Sequence, residues 1–312
     1  MWLFRFLPQP ASPEAIQLDW LFVGLLVLTA FFLAVVFGPL IYFVIKYRKG
    51  SKADRSNPSS GSNVLETAWT IFPAIAGLSL FGWGADLYYR QQSPPADALE
   101  IQVIGKQWMW KFQHPEGARE INELHVPSGR PVVLTMTSQD VIHDVFLPAF
   151  RIKQDVLPGR YTNEWFTPTR PGIYHLFCAE YCGTFHSQMG GRVIVMEPAE
   201  YARWLAAGGP RPSLAASGER LYRELGCSGC HDQRGPVRAP PLYRLYGKTV
   251  ALQGGDIVIA DEKYIRDSIL LPDSQIVVGY ENLMPTFKGR ISEEEIMEII
   301  AYIKSIAETD PP

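Results

Sequence analysis

The sequence predicts a multidomain membrane protein: a two-helix transmembrane hairpin, then an all-β sandwich, then an all-α terminal domain. Three observations predict it. Two uncharged apolar blocks lie before Arg90, short alternating runs begin at Leu99, and helix-period spacing of isoleucines closes the chain. With 29 Lys+Arg against 32 Asp+Glu the net charge is −3, so no basic field points to nucleic acid as a partner.

The first block, Trp20 to Ile45, holds no charged residue, and about 20 apolar residues cross a bilayer core. The second runs from Thr67 to Ala85. Spans are expected at about 20–45 and 67–88. Pro39 and Pro73 interrupt them, as membrane helices tolerate. Between the blocks, Lys46, Arg48, Lys49, Lys52 and Arg55 outweigh Asp54, which places this short loop in the cytoplasm. Both termini and everything after Arg90 then lie outside. The opening MWLFRFLPQPASPEA carries no apolar run followed by a small-residue cleavage site, so the first span itself is expected to direct the chain to the membrane. Membrane lipid is therefore a partner.

From Leu99, the runs LEIQVI, PVVLTMTS and GRVIVM alternate with a period of two and are separated by HPEG, VPSGR, LPGR and TRPG. That pattern predicts a sandwich over 96–198, after an N-terminal and hairpin region at 1–95. Beyond Glu197 the composition turns to Gly, Pro, Ser and Ala, part short helix and part linker, with the linker at 199–216. The terminal domain, 217–312, ends in a helix: Ser292 and Glu295 form a capping-box signature, and Ile296, Ile299, Ile300 and Ile303 make one apolar face.

All four cysteines fall in two close pairs, Cys178/Cys182 and Cys227/Cys230. Disulfides are the default in small secreted domains, but each pair here has a histidine beside it, His186 and His231. The loop C-A-E-Y-C-G-T-F-H-S-Q-M places two thiols, an imidazole and a thioether together. Soft ligands of this kind suit copper, zinc or iron–sulfur. Two thiolates can bridge two coppers, whereas structural zinc pairs are usually tighter and seldom recruit methionine. A second histidine is needed; His143, just after the alternating run at 131–138, would be delivered to the loop end of the sandwich. His114, His125 and His175 read as surface or satisfied core residues. The second motif, C-S-G-C-H, reads as covalent attachment of a c-type haem through Cys227 and Cys230, with His231 beneath the iron. Of the methionines downstream, Met297 lies inside the capped helix, while Met284 sits in the turn-rich N-L-M-P-T-F-K-G and is the candidate opposite ligand.

With D-V-I-H ending at His143, K-Q-D-V-L-P-G at 153–159 and the loop of Cys178, Glu180, Cys182, His186 and Met189, residues 1 to about 200 resemble subunit II of haem–copper oxidases of the cytochrome c oxidase family. The resemblance implies a cupredoxin-like sandwich holding the dinuclear CuA centre. In it Cys178 and Cys182 bridge both coppers, and His143 and His186 bind terminally. Met189 and the Glu180 carbonyl are weak axial ligands, and the Glu180 carboxylate reaches a Mg ion shared with subunit I. It also implies electron entry near Trp108 in GKQWMWKF and a proton-path entry at Glu66. Met109 and Phe112 stand where the family usually has tyrosine. For Glu66 an acid starting a helix is the equal alternative, and for Trp110 a buried core tryptophan.

The stretch from Ser217 to Ala307 resembles a class I cytochrome c domain, with Pro240 in the position whose carbonyl orients the haem histidine and Ala239 where glycine is common. The fusion resembles subunit II of the caa3-type oxidases of bacteria. It implies a plasma-membrane subunit with both redox domains on the periplasmic side, a cytochrome c or cytochrome bc-type complex as donor, subunits I and III as partners, and coupling to proton translocation. The linker, as coil, would reach about 25 Å. A copper-binding assembly or redox-sensing membrane protein is the alternative; a permanent two-cysteine bridge with Met189 argues against transient delivery. Nitrous-oxide reductase shares the copper loop but needs more than the six histidines present, and quinol-oxidising homologues lack the copper ligands.

Overall fold

The computed structural model describes residues 7–56, 61–208, 212–232 and 239–307. They form two compact units, residues 13–94 and residues 95–312 with the first twelve.

The smaller unit is a pair of long helices, α1 (Pro13–Lys46) and α2 (Asn63–Gln91). Both run past the expected 20–45 and 67–88, because their polar ends stay helical. The Ser62 hydroxyl accepts from Leu65 N at 3.4 Å, and Asp86 pairs with Arg90 one turn on at 3.0 Å. Pro39 and Pro73 lie inside the helices without ending them. Phe31 and Phe32 meet Phe72, and Gly24 gives room to Trp83. Val27, Phe37, Leu78 and Phe81 stand exposed around the pair. Helices apolar on every side and not covered by protein are suited to lipid.

The sandwich occupies the first part of the larger unit. One sheet has the order β3 (Arg119–Ile121), β2 (Met109–Gln113), β1 (Leu99–Lys106), β5 (Val132–Ser138), β8 (Thr162–Phe166). The other has β4 (Glu123–Pro127), β10 (Gly190–Met196), β9 (Gly172–Cys178), β6 (His143–Leu147), β7 (Ile152–Val156). β1 with β5 and β4 with β10 run parallel; the remaining pairs are antiparallel. Alternation sends Leu99, Ile101, Val103, Leu134 and Met136 inward against Val145, Leu147 and Val193 of the facing sheet. Ala11 joins the same core, exchanging backbone hydrogen bonds with Ala149 and Thr169.

The stretch expected to be a linker at 199–216 is mostly helix. Helix α3 (Pro198–Ala207) carries Tyr201 and Trp204, which pack on the sandwich, and the next helix already opens at Leu214. What separates them is 208–213, of which 209–211 lie outside the described residues. The short helix expected here is seated on the sandwich by the Trp204 ring, which stacks on His125 at 4.5 Å.

The terminal domain has α4 (Leu214–Glu224), the single turn α5 (Ser228–His231), the ribbon β11 (Thr249–Ala251) and β12 (Ile257–Ile259), α6 (Glu262–Leu270) and α7 (Glu293–Ser305). It begins three residues before the expected Ser217, at an N-cap where Ser213 accepts from Ala216 N. α4 crosses α7 so closely that a Cβ on Gly218 would lie 1.9 Å from the Glu298 carbonyl oxygen. Its own core joins Leu221, Tyr264, Ile265 and Ile269 to the isoleucines of α7.

Candidate metal and haem sites

The candidate metal site sits at one end of the sandwich, where β9 ends in Cys178 and β10 begins just after Met189. Cys178 N donates to Met189 O at 3.0 Å, which closes the intervening loop at its base. The pairing of β6 with β9 brings His143 to the same place, and a carbonyl of the neighbouring Asp144 accepts from Ala179 N. Gly105 makes room: a Cβ there would stand 2.9 Å from the His143 ring.

The donors converge on two sulfurs. Cys178 Sγ and Cys182 Sγ are 3.7 Å apart, well beyond a bonded disulfide. His143 Nδ1 lies 4.0 Å from Cys178 Sγ, and His186 Nδ1 lies 3.5 Å from Cys182 Sγ. Met189 Sδ is 3.7 Å from Cys182 Sγ, and the Glu180 carbonyl oxygen is 3.3 Å from Cys178 Sγ. All six sequence-derived candidates thus meet in one place. Cys178, Cys182, His143 and Met189 are buried, and the Glu180 side chain faces out. Two adjacent sulfurs, each with its own imidazole and a weak further donor, fit a pair of soft metals bridged by thiolates.

Burial pushes the Cys178 thiol up, but hydrogen bonding with His143 and the backbone outweighs it, so this thiol falls below its ordinary value. Burial and the neighbouring Cys178 raise Cys182 instead.

Three supports escaped the sequence reading. Asp140 Oδ1 takes a hydrogen bond from His143 Nε2 at 2.8 Å and also accepts from Val141 N, while its Oδ2 accepts from Gln107 N at 2.8 Å. That contact leaves Nδ1 of His143 free to bind. Gln107 Nε2 and Trp108 Nε1 both donate to the Cys182 carbonyl, at 2.7 and 3.2 Å. The only signal for Asp140 was its place three residues before His143; nothing local marked Gln107. Trp108 is half-buried with its ring edge-on to Phe185, next to the loop, and Trp110 is fully buried beside His143. Glu66 is exposed in the first turn of α2.

The second site is a cavity in the terminal domain. Its wall is apolar, with Leu242, Ile265, Ile269, Ile299 and Ile303, and Cys227, Cys230, His231 and Met284 all line it. His231 Nδ1 donates to the Pro240 carbonyl at 2.8 Å, so Nε2 is the nitrogen left for a metal. Burial lowers His231 below its ordinary value, which favours the neutral imidazole. Two free thiols at the edge of an apolar cleft with an oriented neutral histidine fit a thioether-linked haem. Residues 233–238, between these motifs, are outside the described set.

The remaining histidines have other work. His114 and His125 both bond the Glu120 carboxylate, and His114 also meets the Tyr201 hydroxyl at 3.0 Å. His175 is exposed and stacks on Phe177.

Family models match in three consecutive stretches: the transmembrane domain of cytochrome c oxidase subunit II at 1–80, its periplasmic domain at 118–197, and subunit III of cbb3-type cytochrome c oxidase at 213–303. A cytochrome c oxidase subunit 2 from Alkalihalophilus pseudofirmus is 27% identical, over 95% of this chain and 90% of the relative. One from Thermostichus vulcanus is 32% identical, over 64% of this chain and 77% of the relative. The solved periplasmic domain of subunit II from Bradyrhizobium japonicum is 31% identical, covering 37% of this chain and 96% of that one, with a TM-score of 0.36.

Proposed function

We propose a function from one premise: the chain belongs to the cytochrome c oxidase subunit II family. It is a membrane-bound electron-transfer subunit of an oxidoreductase, it carries a cytochrome c domain at its C-terminal end, and it works beside subunit I of a haem–copper oxidase. Copper and haem c are the cofactors this domain pair implies.

The finer reading is that of a caa3-type oxidase. Electrons from an external donor, a cytochrome c or a cytochrome bc-type complex, enter at the terminal domain, cross to the metal centre of the sandwich and leave for the oxygen-reducing centre of subunit I, coupled to proton translocation. The observation that supports it is the presence in one chain of two separate sites with redox-metal donor sets. His143, Cys178, Glu180, Cys182, His186 and Met189 would hold the dinuclear copper; Cys227, Cys230, His231 and Met284 would hold the haem. When bound, the two groups supply one-electron stations, and neither requires an open coordination position.

The protein's own part is to keep these ligands still. Asp140 fixes the tautomer and tilt of His143, Gln107 and Trp108 anchor the Cys182 carbonyl, and Pro240 does for His231 what Asp140 does for His143. A ligand set that does not move between redox states keeps the cost of each transfer small. Trp108, packed against the loop, is the residue through which we place electron entry to the copper. The outward Glu180 carboxylate suits a Mg ion at the contact with subunit I, with subunit III as a further partner. Glu66, at the start of α2, is assigned to proton entry. We place the basic 46–55 loop in the cytoplasm and both redox domains and termini on the periplasmic side of a bacterial plasma membrane.

The test is turnover of the intact oxidase carrying His186→Ala and Met189→Leu. The haem c spectrum is expected to stay intact and reducible by donor while oxygen uptake falls to background. Oxygen uptake that survives both changes overturns the relay. Electron paramagnetic resonance of the unaltered protein is expected to show one unpaired electron shared over two coppers; a mononuclear signal sinks the copper assignment.

A further inference from the structure

Helix α7 has two working faces. Ile299 and Ile303 line the haem cavity, whereas Glu294, Met297, Glu298 and Lys304 lie on the opposite stripe and meet the sandwich. Lys111 Nζ and Glu294 Oε1 are 2.5 Å apart, and Gln139 Nε2 donates to Glu294 Oε2 at 2.8 Å. Arg119 pairs with Glu298, Lys304 pairs with Glu100 at 2.9 Å, and Gln102 Nε2 donates to the Met297 carbonyl at 3.3 Å.

These sandwich partners share a face. Leu99, Ile101 and Val103 of β1 point into the sandwich core, so Glu100 and Gln102, between them, point out of it. An outward sheet face carrying Glu100, Gln102, Lys111 and Thr135 is polar, yet Gln102 and Thr135 are buried beneath the terminal domain. One aromatic residue of the sandwich bridges the contact. Tyr161, from the L-P-G-R-Y turn between β7 and β8, packs into the terminal domain's own hydrophobic cluster, and among the described residues its buried hydroxyl meets no hydrogen-bond partner. A single aromatic anchor ringed by charge pairs is the anatomy of an exchangeable contact, and contacts between domains of one chain are commonly of this polar kind.

The position of the contact matters as well. Gln139, which holds Glu294, is followed directly by Asp140, the residue that orients His143. The charged rim therefore ends on the loop that carries a metal ligand.

We propose that the haem domain docks reversibly on the outer face of the first sheet, with Tyr161 as its apolar anchor and the acidic stripe of α7 as a salt-sensitive rim, and that docking seats the domain on the Gln139–His143 loop. Only the purpose of docking, delivery of electrons to the metal centre, rests on the relay reading above; the dock itself stands or falls separately. The charge pairs are part-buried, each with at least one partner still reached by solvent, so salt screens them in part, and loss of the anchor or of one pair loosens the rest.

Zero-length carbodiimide cross-linking of the full chain, with haem and copper in place, tests this, because it joins only amines and carboxylates already in contact. At low salt, peptide mapping is expected to find Lys111–Glu294 and Lys304–Glu100 links within one chain. In ~0.5 M salt the Lys304–Glu100 link is expected to fall at least about fivefold. Tyr161→Ala and Lys111→Glu should lower it as much at low salt, and the double exchange Lys111→Glu with Glu294→Lys should restore it. The haem absorbance and the copper signal report that each variant is folded, and the salt series on the unaltered chain needs no variant. Absence of both links at low salt, links joining two chains, or a Lys304–Glu100 yield indifferent to salt and to both substitutions overturns the proposal. Failure of the relay would show in the oxygen-uptake experiment whatever the cross-links do.

Discussion

Asp140 accepts hydrogen bonds from His143, Gln107 and Val141, so one carboxylate ties the proposed ligand histidine to the turn carrying Trp108. Replacing a carboxylate that orients a ligand imidazole commonly weakens metal affinity by about 10–100-fold. Asp140→Asn is therefore expected to lower copper affinity by that order and to alter the copper hyperfine pattern, measured by competition titration and electron paramagnetic resonance. Unchanged affinity with an unchanged pattern would remove Asp140 from this role. On edge strand β3, burial pushes the Glu120 carboxyl up, but hydrogen bonds from His114 and His125 outweigh it and bring it down to about 2. A depressed carboxyl stabilises the fold above its unfolded pKa of about 4.3, and that stability is lost as pH falls from there through about 2. Its size is on the order of 2–3 kcal/mol. Glu120→Gln should remove most of that acid-dependent slope in denaturant unfolding followed by tryptophan fluorescence; parallel pH slopes for the two proteins would show that Glu120 carries none of it. Neither residue advertised itself in the sequence, since a lone aspartate or glutamate in a turn or strand is ordinary.

Helix α7 was legible from end to end because its signals are contiguous. The Ser292 hydroxyl accepts from Glu295 N at 3.3 Å, Glu295 returns a bond to Ser292 N at 2.7 Å, and the isoleucine stripe follows. What opposes that stripe was not legible. Gly218 lies inside α4, where glycine costs roughly 1 kcal/mol relative to alanine, and its reason is the backbone of α7 across the crossing. Gly218→Ala should gain helix propensity yet force the crossing apart, and overpacking of this kind costs about 1–3 kcal/mol or more. A net fall in the haem-domain melting temperature, with the copper signal of the sandwich unchanged, is the expected result; a rise would mean the helices can separate without loss. Helix α3 makes the converse point. Its stretch reads as part short helix and part linker, and the stacking of Trp204 on His125 and the contact of Tyr201 with His114 are what seat the helix on the sandwich.

At the scale of the molecule, the sandwich and the terminal domain have separate hydrophobic cores. The terminal core surrounds an apolar cavity bearing two thiols, and a group bound there stabilises only the domain that holds it. If the proposed thioether attachment is right, a chain with Cys227→Ser and Cys230→Ser should show a lower and broader melting transition for the terminal domain and an unaltered one for the sandwich, by calorimetry. Equal shifts in both would mean that the cores unfold as one. The spans, the basic loop, the two cysteine motifs and the capped last helix were determined by the sequence alone, because each is written in residues close together along the chain, where hydropathy, spacing and ligand chemistry act locally. The Asp140–His143 bond, the Gln107 and Trp108 clamp on Cys182, the Gly218 crossing, and the seat of Tyr161 in the terminal domain were decided only by the tertiary structure. The last three join residues far apart in sequence, and even Asp140, three residues from His143, becomes its partner only when β6 pairs with β9 and turns the imidazole toward the sulfurs.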